Sequence, residues 1–367
     1  EGIATPNYTF VDFPAEHAKN ASDNSGVEKT DPAIYEQGIE QIRAVVEREQ
    51  IDVIHAHFTE FGTYCCAQGE LRPLVVSIWG NFNDLLVDRS AQLGRKMQKI
   101  LDQTDGLIVE SPALLGVAQR LRRPPPCPAV IPLGTNTQRF RPASATQRAQ
   151  ARRAFAIPAE AVVILSPRGL GHFYNHDRIL AAYLEARQHF TQPTILAFVQ
   201  MSRGSYDSEA QDIHDAIQQA AILAGIQDEI RWLPSLRYEL MPTIYGLADI
   251  VVSYPENDAF PSTLVEAAAC ECAIITACLP SYQNTFIEEF CLQVEPRNTP
   301  ALTDGLVEMV NGFPKQWRAQ TQRARQVIIE EYEERIMQNR LVTLYQTVIE
   351  YVQAQQKEGI DAMPVAA

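Results

Sequence analysis

ADIVVSYPENDAFPSTLVEAAACECAIIT, residues 248–276, holds the plan of the chain in one stretch. A short β-branched run, Asp249–Ser253, leads into the loop Tyr254–Phe260. Pro261 stands where a first helical residue belongs, since it has no N–H to leave unsatisfied. Ser262, Thr263 and Leu264 then make the first turn, Glu266 lies about one turn inside the helix, and Ala273–Thr276 starts a new extended segment. Strand, loop, helix and strand in this order build a parallel sheet covered by helices. The first amides of such a helix have no partner within it. They point back toward the carboxyl end of the preceding strand, which makes an anion site suited to a diphosphate. Asp258 and Glu266 flank that site from two sides. Two carboxylates repel a phosphate. They therefore either grip hydroxyls of sugars attached to it, or are a loop aspartate and a helix glutamate with no part in binding.

The same alternation extends outward. Extended runs are expected at Tyr8–Phe13, Asp52–Ala56, Leu74–Ile78, Gly106–Val109 and Ala129–Pro132. A second set follows at Val162–Ser166, Thr194–Val199, Glu229–Leu233, Asp249–Ser253, Ala273–Thr276 and Cys291–Val294. Helical stretches lie between them at Tyr35–Arg48, Arg178–Gln188, Glu209–Ala224 and Leu302–Asn311, and one long helix is expected over Glu330–Val352. Runs such as VVILS show little alternation, as strands buried on both faces should. Thr135–Arg153 is polar, basic and strand-free, and reads as a linker followed by a short helix. The fold class is α/β, with two doubly wound domains over 1–140 and 141–330. A C-terminal helix and tail, 331–367, are expected to pack back toward the first domain.

With 367 residues, 46% hydrophobic and 21% charged, the composition excludes a disordered or fibrous chain. The net charge of −14 argues against general nucleic-acid binding. The charge is uneven. Residues 89–153 hold twelve basic and three acidic side chains, +9, against −23 for the remainder. This marks either a contact with an anionic surface or ligand, or a solvated face and linker. The seven cysteines fit no zinc spacing and read as reduced thiols in a cytoplasmic setting. No window is apolar enough for a membrane span, and the start, EGIATPNYTF, has neither a signal core nor a Met, so the chain reads as beginning partway into a longer product.

A second informative stretch is ILSPRGLGHFYNHDRILAAYLEA, residues 164–186. Arg168 follows a strand end, where α/β proteins bind ligands, and a guanidinium there either grips a diphosphate or forms a surface ion pair. In the first half, IDVIHAHF (51–58) ends with His55 and His57, and LVVSIWGNFND (74–84) leads to Trp79-Gly80. His55 reads as a packing residue, and His57 as either a site residue or a structural one. No Asp-x-Asp, HExxH, Walker A or GxSxG motif occurs, and Gly169-Leu170-Gly171 is not completed to GxGxxG because Tyr174 stands at the third position.

The run Asp258-Ala-Phe-Pro-Ser-Thr-Leu-Val-Glu266-Ala-Ala-Ala resembles the donor-site signature of retaining glycosyltransferase family 4, which has the GT-B fold of two Rossmann-like domains facing a cleft. The resemblance covers about residues 50–350. It implies that Glu266 holds the ribose of a nucleotide-diphosphate sugar. Asp258 would lie beside the sugar ring, with the amides of Ser262, Thr263 and Leu264 near the diphosphate. Arg168 matches the first member of an Arg-x(5)-Lys clamp whose Lys is here Tyr174, and His172 or Arg203 is a candidate for the missing charge. Trp79 and Gly80, with Asn81 and Asp84 following, match the acceptor side, Trp79 being otherwise core, and His57 matches a catalytic position. Glu271 stands where the family has Gly before the next strand, and Asn136 replaces an Asp in the hinge VIPLGTN. Only fifty residues precede Ile51, without a Gly-Gly loop, so the first β-α unit is missing or replaced. The implied activity is metal-independent, retaining transfer of a sugar to an acceptor hydroxyl, with no cofactor beyond the nucleotide sugar. The acceptor is unknown, lipid-linked or polysaccharide, with peripheral membrane contact through 89–153. A non-catalytic nucleotide-sugar-binding module and a nucleotide-sugar epimerase remain the alternatives.

Overall fold

The computed structural model describes residues 32–58, 61–79, 91–120, 123–200 and 207–357. The strand expected at Tyr8–Phe13 lies outside them, as do Gly80, Asn81, Asp84 and Arg203. The chain forms two compact units, Glu1–Pro132 with Met337–Ala367, and Leu133–Ile336.

The first unit is built on a parallel sheet of β1 (Ile54–His57), β2 (Leu74–Ser77), β3 (Gly106–Val109) and β4 (Cys127–Val130), hydrogen-bonded in that order. Every residue of LVVS and GLIV is buried, which is why both read as continuous apolar runs. The helices are α1 (Pro32–Glu49), α2 (Phe61–Gln68), α3 (Ala91–Gln103) and α4 (Pro112–Gln119), the last capped by Ser111. The C-terminal helix, here α13 (Glu334–Lys357), sits against this sheet from Met337 onward. At Gly106 a Cβ atom would lie 2.7 Å from Val348 Cγ2, so the strand needs glycine for α13 to approach this closely.

The second unit carries a parallel sheet of six strands, in the order β10-β9-β8-β5-β6-β7. They are β5 (Val162–Ser166), β6 (Thr194–Gln200), β7 (Ile230–Pro234), β8 (Ile250–Ser253), β9 (Ala273–Ala277) and β10 (Leu292–Val294). Its helices are α5 (Ala145–Ala154), α6 (His176–Ala186), α7 (Asp207–Leu223), α8 (Met241–Leu247), α9 (Ser262–Ala269), α10 (Phe286–Phe290), α11 (Thr299–Gly312) and α12 (Arg318–Glu331). Sequence order reverses between β5 and β8. In an open α/β sheet the crevice for ligands lies beyond the carboxyl ends of the strands at such a reversal. Both stretches singled out in the sequence, the one after β5 and the one after β8, leave the sheet there.

Four expectations change. The long helix over Glu330–Val352 is two helices, because α12 ends at Glu331 and α13 begins at Glu334. Thr135 forms the break: its N–H donates to the Tyr332 carbonyl, and its carbonyl accepts from the Glu334 N–H. The linker thus pairs with the break as a parallel β-bridge between Thr135 and Glu333, not as free coil. Pro261 is the residue before α9, extended at ψ 123°, and Ser262 is the first helical residue. The basic stretch 89–153 is not one surface. Arg152 is buried, and Arg148 and Arg152 both pair with Asp249, while their remaining donors hold the carbonyls of Gly246, Leu247, Ala248, Ala159 and Ala161. These charges fasten α5 to the segment between α8 and β8. No helix among the described residues is long and apolar enough to cross a membrane.

Candidate functional site

Arg168 stands two residues beyond β5, and Asp258, Ser262, Thr263 and Glu266 lie on the loop and helix that follow β8. The guanidinium brings them together. Its Nη1 donates to Thr263 Oγ1 at 3.2 Å, and its Nη2 lies 3.3 Å from Asp258 Oδ2. Its flat face rests on the Tyr174 ring, 4.2 Å from the centroid. Tyr174 belongs to a single helical turn, His172–Tyr174, that ends at Asn175 in the left-handed region at φ 53°. Asn175 Nδ2 donates to the Tyr254 carbonyl (2.9 Å), tying this turn to the loop after β8. His176 bonds Ser166 Oγ (3.3 Å) and the Gly169 carbonyl (3.0 Å), and burial pushes its imidazole down to about 4. It is a neutral strut under the Arg168 loop. Where the sequence pattern puts Tyr for Lys, the structure supplies a platform under the guanidinium.

Asp258 is held by the Ala259 N–H on Oδ1 (3.0 Å), and its carbonyl accepts from Ser281 Oγ (2.6 Å). Burial raises its carboxyl above the usual range, and the Arg168 charge opposes that rise. Ser253 and Thr276 pair across β8 and β9. Their hydroxyls, the Tyr282 phenol and Asp258 Oδ2 are buried together, and the Arg168 guanidinium is the charged partner of Asp258. Glu266, 6% exposed, accepts from the Tyr245 hydroxyl at 2.7 Å. Burial pushes it up to about 7, while the Tyr245 bond and Arg168 act in the opposite direction.

Fewer amides are open at the start of α9 than the sequence suggested. The Leu264 amide donates to the Pro261 carbonyl (3.0 Å), a tight first turn that removes it from the free set. Ser262 and Thr263 remain as the amides available beside Arg168. The other end of α9 shows why Glu271 matters. Cys272 N–H bonds the Ala267 carbonyl and Glu271 N–H the Ala268 carbonyl (both 3.0 Å), a Schellman ending that puts Glu271 at φ 61°. Glycine is expected there because this conformation is strained for a side chain, and Glu271 adopts it nonetheless.

In the first unit, both nitrogens of His55 are engaged, Nδ1 with the Tyr345 hydroxyl (2.6 Å) and Nε2 with Ser77 Oγ (2.7 Å). Burial, helped by neighbouring His57, pushes it down to about 3, so His55 is a neutral packing residue. His57 ends β1 and is exposed, and its Nδ1 accepts from the Trp79 indole N–H at 2.9 Å. An indole nitrogen only donates, so the proton of the neutral imidazole sits on Nε2, which is left as a donor. Partial burial holds His57 below its ordinary value. Gly80, the other acceptor-side candidate, is outside the described residues.

The sequence reading missed Tyr245 and Tyr282. Both reach the site from segments outside the two signature stretches, and neither carries a motif. The one available signal is that each is a tyrosine, whose hydroxyl needs a partner once the ring is buried.

Residues 147–327, within the second unit, match the family described as Glycosyl transferases group 1. A D-inositol 3-phosphate glycosyltransferase of Geodermatophilus obscurus is 29% identical over 149 residues, 40% of this chain and 32% of that protein. The enzyme of that name from Salinispora tropica is 24% identical over 69% of this chain and 55% of its own length. The chain thus spans about a third to just over half of the curated relatives it matches. Among solved structures, the sucrose-phosphate synthase of Thermosynechococcus elongatus superposes with a TM-score of 0.72 at 19% identity, covering 85% of this chain and 77% of that one. Anabaena HepE, in complex with UDP and glucose, gives 0.68 at 14% identity, over 85% and 81%. The fold is that of GT-B glycosyltransferases, with two parallel-sheet α/β domains.

Proposed function

We propose that this protein is a glycosyltransferase that moves a sugar from a nucleotide-diphosphate sugar to an acceptor hydroxyl, with retention of configuration and without a metal. The observation that carries the reading is the meeting of Arg168 with Thr263 and Asp258 at the reversal point of the second sheet. A guanidinium and two free helix amides offer positive potential to a diphosphate, and their support grows as charge develops on the leaving group. Asp258 orders the sugar ring and Glu266 the ribose hydroxyls. The acceptor hydroxyl attacks from the leaving-group side, and its proton passes to the departing phosphate. His57 Nε2–H, with Trp79 behind it, is the first unit's candidate donor to the acceptor.

Complexes of HepE with UDP-glucose, and the D-inositol 3-phosphate glycosyltransferase relatives, support a nucleotide-sugar donor and a hydroxylated acceptor. The test is calorimetric titration of UDP- and GDP-sugars, with product anomers read by NMR. Glu266→Ala should lose most donor affinity. Asp258→Ala should bind donor and transfer slowly, and a chelator should leave turnover unchanged. Undiminished donor binding in Glu266→Ala sinks the assignment. Binding without turnover in the wild type favours a binding module, and nucleotide release without transfer favours hydrolysis or epimerisation.

A further inference from the structure

We infer that Tyr245 is a positioning residue of the donor site: its hydroxyl occupies one oxygen of Glu266 and leaves the other as the acceptor for the ligand's ribose hydroxyls. The inference rests on the reading of Glu266 as the ribose holder and adds a residue that no signature stretch contains.

The geometry is closed on the protein side. Tyr245, 1% exposed, sits in α8 and donates to Glu266 Oε2 at 2.7 Å, while Oε1 takes no hydrogen bond among the described residues. The phenol has little freedom to swing away. The Tyr245 carbonyl accepts from Cys272 Sγ (3.5 Å), and the ring meets Phe140 edge-on at 6.0 Å. The next carbonyls of α8 are clamped, Gly246 by Arg148 (3.2 Å) and Leu247 by Arg152 (3.2 Å). Both arginines are anchored on Asp249. Rigid backbone therefore reaches the carboxylate through a single bond, which fixes the plane in which Oε1 presents its lone pairs.

The same bond keeps the acceptor charged. The groups facing Glu266 are Tyr245 from α8, Arg168 from the loop after β5, Tyr238 from the turn before α8, and Cys270 one turn along α9. Burial raises both phenols and the thiol above their ordinary values, so Glu266 is the member of this set that titrates near neutrality. Burial favours its neutral form, and the Tyr245 hydroxyl favours the carboxylate. A protonated acid is a poor acceptor for two sugar hydroxyls, so Tyr245 sets the pH above which the ribose is held.

The test uses the full chain, the variant Tyr245→Phe and two probes, UDP-glucose and its 2′,3′-dideoxy analogue. The diphosphate diester of either probe does not titrate near pH 7. Carbon-13 NMR of the Glu266 carboxyl, without ligand, should show its midpoint rising by about one pH unit in Tyr245→Phe. UDP-glucose affinity at pH 7 should fall about fivefold, the ionised fraction dropping from about a half to about a tenth, and the deficit should close to within about twofold at pH 9. The dideoxy analogue should bind both proteins alike at every pH. An unmoved midpoint, or an equal loss for both probes at all pH values, overturns the inference, since packing alone would act so. If the wild type holds both probes equally while the midpoint still moves, the ribose reading of Glu266 falls and the hold of Tyr245 on it stands. Should Tyr245→Phe fail to fold, 3-fluorotyrosine at 245, a stronger donor of the same shape, should move the midpoint downward.

Discussion

Glu266→Gln should stabilise the unliganded protein above neutral pH and leave its stability unchanged near pH 4. In the fold the carboxyl is pushed up to about 7, from 4.5, chiefly by burial. A carboxyl raised in the fold contributes stability that is fully present below its unfolded value and is lost as pH rises through its folded value. Between pH 4.5 and 7 the folded chain keeps a proton that the unfolded chain has released. Stability then falls by about 1.4 kcal/mol per pH unit, or about 3 kcal/mol over the window. Glutamine never ionises and keeps a carbonyl oxygen to accept from Tyr245, so it escapes this loss. His55 and His176 act in the opposite sense. Their lowered values give stability that is complete above about pH 6.5 and lost as pH falls toward about 3 and about 4. They are common to both proteins and cancel in the difference. The assay is urea unfolding of wild type and Glu266→Gln at half-unit steps from pH 4 to 8.5, followed by circular dichroism. The midpoint difference for the second unit should open steadily above pH 4.5 and level off above about 7. Parallel profiles, or a gap already present at pH 4, would refute the claim that burial of the ionisable Glu266 lowers stability.

Two further outcomes follow from particular residues. Glu271→Gly relieves a side chain held at φ 61° and gives up only a 3.9 Å contact with Arg325, so unfolding free energy should rise by about 0.5–1 kcal/mol. A fall in stability under denaturant would show that the contact outweighs the strain. Tyr174→Leu removes the platform beneath Arg168 and should weaken UDP more than uridine, by about three- to tenfold, while Tyr174→Phe keeps the platform and stays within about twofold. Equal losses for both ligands in calorimetry would mean that the ring only packs.

Much of the fold lies in local patterning. VVILS, LVVS and GLIV are strands because only sheets covered on both faces take continuous apolar runs, and these three are buried throughout. Asp258, Arg168 and the start of α9 were legible for a related reason. Each lies within a few residues of a strand end, so short-range order alone brings it to the carboxyl edge of a sheet. The spacing from Asp258 to Glu266 likewise places one acid in the loop and the other on the helix without reference to the remainder of the chain.

Contacts between segments distant in sequence were beyond such reading. That Thr135 would enter between Tyr332 and Glu334 and split a long amphipathic pattern depends on backbone hydrogen bonds from nearly two hundred residues away. Arg148 and Arg152 look like surface charge until Asp249 arrives beside them. A sequence records a charge, whereas burial decides whether that charge meets solvent, a ligand or a partner. The strand order that reverses between β5 and β8, and the Tyr245 hydroxyl on Glu266, are set by the same long-range packing. The residue types and their spacing thus placed Arg168, Asp258 and the start of α9 at strand ends by themselves. Tertiary structure decided which strand ends became neighbours, and through burial it decided the protonation of the acids gathered there.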